Sequence, residues 1–107
     1  MPSAKGNIII QAGHDSKFVA TFLIDGIQYL YSGHVNPCQH PFSVNKATLK
    51  YNSIDDLTGT WTFTGQVGIF KVTFNIKNGT VATGPLPKNG QINPAWSVDG
   101  YGTWTTG

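Results

Sequence analysis

The groups in this sequence that can move a proton near neutral pH are Asp15, Asp25, Asp55, Asp56 and Asp99, with His14, His34 and His40. Acid–base chemistry needs two such groups brought to one side of a bond, and the spacing does not supply them. Asp55 and Asp56 are adjacent, so on a strand they point to opposite faces. Asp25 precedes Gly26, a pair suited to tight turns. No Gly-x-Ser-x-Gly elbow, phosphate loop or His-Glu-x-x-His occurs. The expectation is a protein without catalytic residues, not an enzyme.

His34-x-x-x-Cys38-x-His40 places three soft ligands within one short segment, with His14 as a conceivable fourth. Zn²⁺ or Cu²⁺ would suit such donors, but structural zinc sites usually pair their ligands as Cys-x-x-Cys or His-x-x-x-His. Pro37 and Pro41 stiffen the same segment without metal. No metal and no cofactor are expected, and Cys38 reads as a small apolar residue or a free thiol. A single cysteine allows no internal disulfide, which fits a reducing compartment.

Saccharide recognition is the chemistry the C-terminal region suggests. Asn93-Pro94-Ala95-Trp96-Ser97-Val98-Asp99-Gly100-Tyr101 is polar and turn-rich, and reads as a loop. An indole can stack on the CH face of a pyranose while amides and carboxylates bond its hydroxyls. Trp96, Asn93, Asp99 and Tyr101 are therefore the expected ligand-binding residues, with Trp96 as the platform. Trp61 and Trp104 sit in alternating Gly-Thr-Trp-Thr runs and are expected in the core. Thr58, Thr60, Thr62 and Thr64 would form the solvent face of the first of these runs. Asn78-Gly79-Thr80 matches a glycosylation sequon, but a hairpin turn accounts for it.

The elements that must position these groups are strands. Charged residues make up 11% of the chain, with no Glu and no Arg, whereas Thr, Gly, Asn, Val, Ile and aromatics abound. Residues 18–24 run into Asp25-Gly26 and return as residues 27–31. A two-residue turn there sets Ile24 against Ile27, Phe22 against Tyr29 and Ala20 against Tyr31. Phe70, Val72, Phe74 and Ile76 alternate with Lys71, Thr73, Asn75 and Lys77 before Asn78-Gly79 turns the chain. Segments 33–41 and 84–95 hold every proline but Pro2, so they are expected to carry no central strand.

Phe18-x-x-Thr21-Phe22-x-Ile24 matches Phe70-x-x-Thr73-Phe74-x-Ile76, and the two Gly-Thr-Trp-Thr runs follow in the same order. An internal repeat over 18–64 and 70–107 is therefore plausible. Residues 1–107 are expected to form one all-β domain, an antiparallel β-sandwich or compact barrel. The hairpin's second face, Val19, Leu23 and Leu30 beside Thr21 and Gln28, is itself partly apolar. A homo-oligomer would cover it.

Leu57-Thr58-Gly59-Thr60-Trp61 resembles the Gly-x-Trp opening strand of lipocalins and, more closely, the Leu-Thr-Gly-Thr-Trp strand of avidins. The resemblance covers five residues, comes late in the chain, and brings no counterpart of the avidin ligand residues. In composition the chain is also similar to small cytoplasmic lectins and defence proteins. A non-enzymatic binding protein is expected, carbohydrate-binding and lectin-like. The alternatives are a toxin, defence or other protein-interaction module, and a small-molecule-binding β-barrel. The partner is expected to be a glycan or other surface ligand. With a net charge of +2 and no basic run, nucleic acid is not expected. No apolar stretch reaches the ~18 residues of a membrane span. Ile8-Ile9-Ile10 is too short for a signal peptide, so a cytoplasmic or non-classically secreted protein is expected.

Overall fold

Asp25 (φ 52°) and Gly26 (φ 80°) both take the left-handed conformation, as a two-residue type I′ turn demands. The register follows residue for residue: Ile24 pairs with Ile27, Phe22 with Tyr29 and Ala20 with Tyr31. This hairpin belongs to a computed structural model that describes residues 2–10, 17–36, 42–87 and 92–106, without the side chains of Phe42 and Asn93. The strands are β1 (Ser3–Ile10), β2 (Lys17–Ile24), β3 (Ile27–Asn36), β4 (Phe42–Lys50), β5 (Gly59–Ile69), β6 (Lys71–Ile76), β7 (Val81–Pro85) and β8 (Ile92–Thr106). They close into an antiparallel barrel of eight in the order β1-β2-β3-β8-β5-β6-β7-β4. A 3₁₀ turn at Ile54–Asp56, capped by the Ser53 hydroxyl, leads into β5. Among the described residues no helix is long and apolar enough to cross a membrane.

That order is unchanged when β1–β4 are exchanged with β5–β8. Each half is a three-stranded meander whose fourth strand pairs with its own first strand and with the third strand of the other half. The matching hairpin sequences fall on the equivalent strands β2 and β6. By strand order the two halves are 3–50 and 59–106. The two Gly-Thr-Trp-Thr runs lie on non-equivalent strands and pair with each other: Gly59 faces Trp104, Trp61 faces Gly102, and Thr60 faces Thr103. The two threonine hydroxyls share a 2.8 Å hydrogen bond.

An eight-stranded barrel is just wide enough for side chains to fill it. Here the filling is aromatic. Phe18 on β2 and Phe74 on β6 come from diametrically opposite strands, yet their ring centroids are 5.5 Å apart. Phe63 lies edge-on to Phe18 at 5.3 Å and stacks on Phe74 at 4.6 Å. Tyr31 extends the cluster to Trp104 at 4.9 Å. The ring of Tyr31 lies over Gly102, where an added Cβ would come within 2.7 Å of it.

Several sequence expectations are corrected. The proline-bearing segments do carry strand: β3 runs to Asn36, β7 includes Pro85, and β8 begins at Ile92. Pro94 is tolerated because it lies beside the register shift between Val67 and Ile69, where the ladder is already interrupted. Trp61 is not core but 39% exposed: its position on β5 points inward, yet near the barrel end. Its indole N–H donates to the Thr58 carbonyl. Phe70 is 65% exposed because β6 begins only at Lys71. The lipocalin and avidin likeness does not extend to topology, since those barrels run up and down in chain order.

Phe63→Ala should cost about 3–5 kcal/mol in urea-denaturation midpoints, because the lost ring touches three others. Alkaline stability should report on Tyr31. Burial pushes its phenol above the ordinary range, with a backbone contact to Gly102 opposing the shift. The unfolded chain releases this proton first, so stability should hold below about pH 10 and fall above it. A melting temperature flat from neutrality to well above that pH would contradict this.

Candidate functional site

Strand β8 alternates in the ordinary way: Val98, Gly102 and Trp104 are buried, whereas Ser97, Asp99, Tyr101 and Thr103 are exposed. The pairing carries the outward set across four strands. Asn36 on β3 faces Asp99 on β8, which faces Thr64 on β5, which faces Asn75 on β6. The neighbouring row sets Ser97 beside Gln66 and Thr73. With Lys71 at one end, these side chains line a groove of about 640 Å³ on the outside of the barrel. Gly65 and Val98 contribute to its floor.

The groove therefore holds three amides, one carboxylate, one ammonium and several hydroxyls. Thr73 is engaged by the Thr83 hydroxyl at 3.2 Å. Among the described residues, no side-chain hydrogen bond holds Asn36, Gln66, Asn75 or Asp99. Amides present both donors and acceptors, and a carboxylate accepts only. Such a set suits a ligand carrying many hydroxyl groups.

The four residues expected from the sequence are divided by the strand. Asp99 lines the groove. Tyr101 stands two residues along on the same face, 46% exposed, with its ring 5.3 Å from that of His34. Trp96 lies on the other side of β8, half-buried and packed against the core. Its indole Nε1 is shielded from solvent and, among the described residues, has no hydrogen-bond partner, as is the case for that of Trp104. The side chain of Asn93 lies outside the described residues. The stretch read as a loop is strand from Ile92 onward, and strand alternation separates Trp96 from Asp99.

Sequence reasoning did not gather Asn36, Gln66, Lys71 and Asn75 into a site. The alternation of Lys71, Thr73 and Asn75 was visible, but the adjacency of β5 to both β6 and β8 was not. His34, the first of the three soft ligands, is on β3 against Tyr101. Cys38, His40 and His14 lie outside the described residues. Among the described residues, no group of three or more His, Cys, Asp or Glu is placed to hold a metal ion.

No family model, no curated protein and no solved structure matches this chain.

The placement of Trp96 sets up a two-variant comparison. Trp96→Ala removes packing against the core and should cost about 3 kcal/mol of stability. Trp96→Phe keeps most of the packing and deletes a shielded, unpaired donor, so it should stay within about 1 kcal/mol of wild type. Equal destabilisation by both would mean that the indole N–H has a partner.

Proposed function

We propose that this barrel is a non-enzymatic carbohydrate-binding protein, and that the saccharide lies in the groove over β3, β8, β5 and β6. The observation that carries the reading is the row Asn36–Asp99–Thr64–Asn75, flanked by Gln66 and Ser97, in a concavity of about 640 Å³. Vicinal hydroxyls are met well by such a set: a carboxylate oxygen accepts from one while an amide donates to the next. The aromatic platform in this reading is Tyr101, which shares the groove's face, and Trp96 supports the strand from behind.

The same arrangement supports binding over chemistry. Among the described residues Asp99 is the only carboxylate lining the groove, with no second acidic group there to share acid–base work.

Amide shifts recorded while neutral mono- and oligosaccharides are titrated in at millimolar concentration should cluster on β5, β6 and β8. Asp99→Asn and Asn75→Ala should each weaken binding about tenfold or more. Both positions are exposed, so melting temperatures should not move. Tyr101→Ala should cost a similar factor through lost stacking. Saccharides that shift no groove amide, or variants that bind as wild type does, would sink this reading.

A further inference from the structure

The pseudo-twofold carries the groove wall onto a surface of opposite character. Thr73 and Phe74 on β6 correspond to Thr21 and Phe22 on β2, and the cross-strand partners correspond as well. Gly65 faces Phe74 as Gly6 faces Phe22, and Gln66 faces Thr73 as Asn7 faces Thr21. The outward positions of β6 are Lys71, Thr73 and Asn75; those of β2 are Val19, Thr21 and Leu23. One backbone frame thus accepts a polar face on one side, so the fold does not require the apolar one.

Val19 and Leu23 are 38% and 56% exposed. Half-buried Ile9 on β1, directly opposite Val19, and half-buried Leu30 on β3, opposite Thr21, widen the patch. Exposed Lys17 lies at one end of this face of β2, and exposed Asp25 follows Leu23 at the other.

We propose that this outer face of β1–β2–β3 is the interface of a homodimer, with the twofold axis lying across the strands at the level of Thr21. Self-pairing about that axis sets β2 antiparallel to its copy, within the ~30° crossing usual for packed sheets. Val19 then meets the second copy's Leu23, and Leu30 meets its own equivalent. Lys17 meets the second copy's Asp25, and the same pair forms again on the other side of the axis, as an isologous interface requires. An axis along the strands would instead set Lys17 on Lys17 and Asp25 on Asp25. Charge therefore selects the antiparallel arrangement. An apolar centre rimmed by charge is the make-up of a stable interface. The polar groove is centred on β8 and β5, away from β2, so both grooves would stay open in the dimer and bind bivalently.

Sedimentation equilibrium in the tens of micromolar tests this. Wild type should be a dimer that loosens as salt rises. The double variant Val19→Lys, Leu23→Asn installs the residues that β6 already carries at the equivalent positions. It should be a folded monomer, with its β-sheet circular dichroism retained. If it does not fold, Leu23→Asn alone should weaken the dimer at least tenfold. Lys17→Asp should also weaken the dimer several-fold, because both charge pairs become repulsive. A monomeric wild type, or a dimer of unchanged affinity in the Leu23 variants, overturns the proposal. A dimer indifferent to Lys17→Asp and tightened by salt overturns the antiparallel arrangement.

Discussion

The barrel depends on aromatic rings meeting across its axis. Phe18, Phe63 and Phe74 come from three strands, two of them diametrically opposed, and their centroids lie within 5.5 Å of one another. That contact closes the barrel by giving both walls the same buried surface. It also occupies the axis with side chains, as eight strands permit. Of the binding alternatives, a ligand held along the axis would have to displace this core. The outer face is where the fold leaves the alternate residues of each strand free to vary.

How those outer residues vary is where the two halves part. Inward positions are kept: Ala20, Phe22 and Ile24 on β2, like Val72, Phe74 and Ile76 on β6, are buried. The inner faces share one core, so size and apolarity are constrained in both halves. Outward positions answer to no such rule, and Val19 and Leu23 stand where the other half has Lys71 and Asn75. A single framework presents a polar surface on one side and an apolar one on the other.

Legibility from sequence follows the range over which register is fixed. The first hairpin reads correctly to the residue because two left-handed positions in a row, Asp25 and Gly26, leave one pairing. Strand β8 does not read at all in its first half. Its Asn, Pro, Gly and Asp have low strand propensity, but β5 supplies a hydrogen-bonding partner along it and β3 joins on the other edge from Asp99 onward. Tertiary context overrides composition there. Gly100 looks like a loop residue in isolation, and Gly102 opens the Gly-Thr-Trp-Thr run. In the barrel they are places where a Cβ would strike the His34 carbonyl or the Tyr31 ring. Misreading this segment as a loop is what grouped Trp96 with Asp99. The match between the β2 and β6 hairpins is visible in the sequence, whereas β1 and β5 show no such match.

A groove on the outside of a barrel needs its own explanation, since a closed sheet is convex there. Gly65 supplies one. It sits on β5 at an inward position, where an added Cβ would lie 2.1 Å from the Thr73 carbonyl oxygen. Without a side chain there, the β6 backbone approaches β5 closely between the outward residues Thr64 and Gln66, which line the groove. Glycines in strands often mark such close backbone approaches. Gly6 is its counterpart on β1, where an added Cβ would strike the Thr21 carbonyl. The same close approach therefore lies beside both surfaces. On one side its neighbours are amides and a carboxylate around a concavity, and on the other they are Val19, Leu23 and Leu30. Shape is common to the two halves, and chemistry distinguishes them.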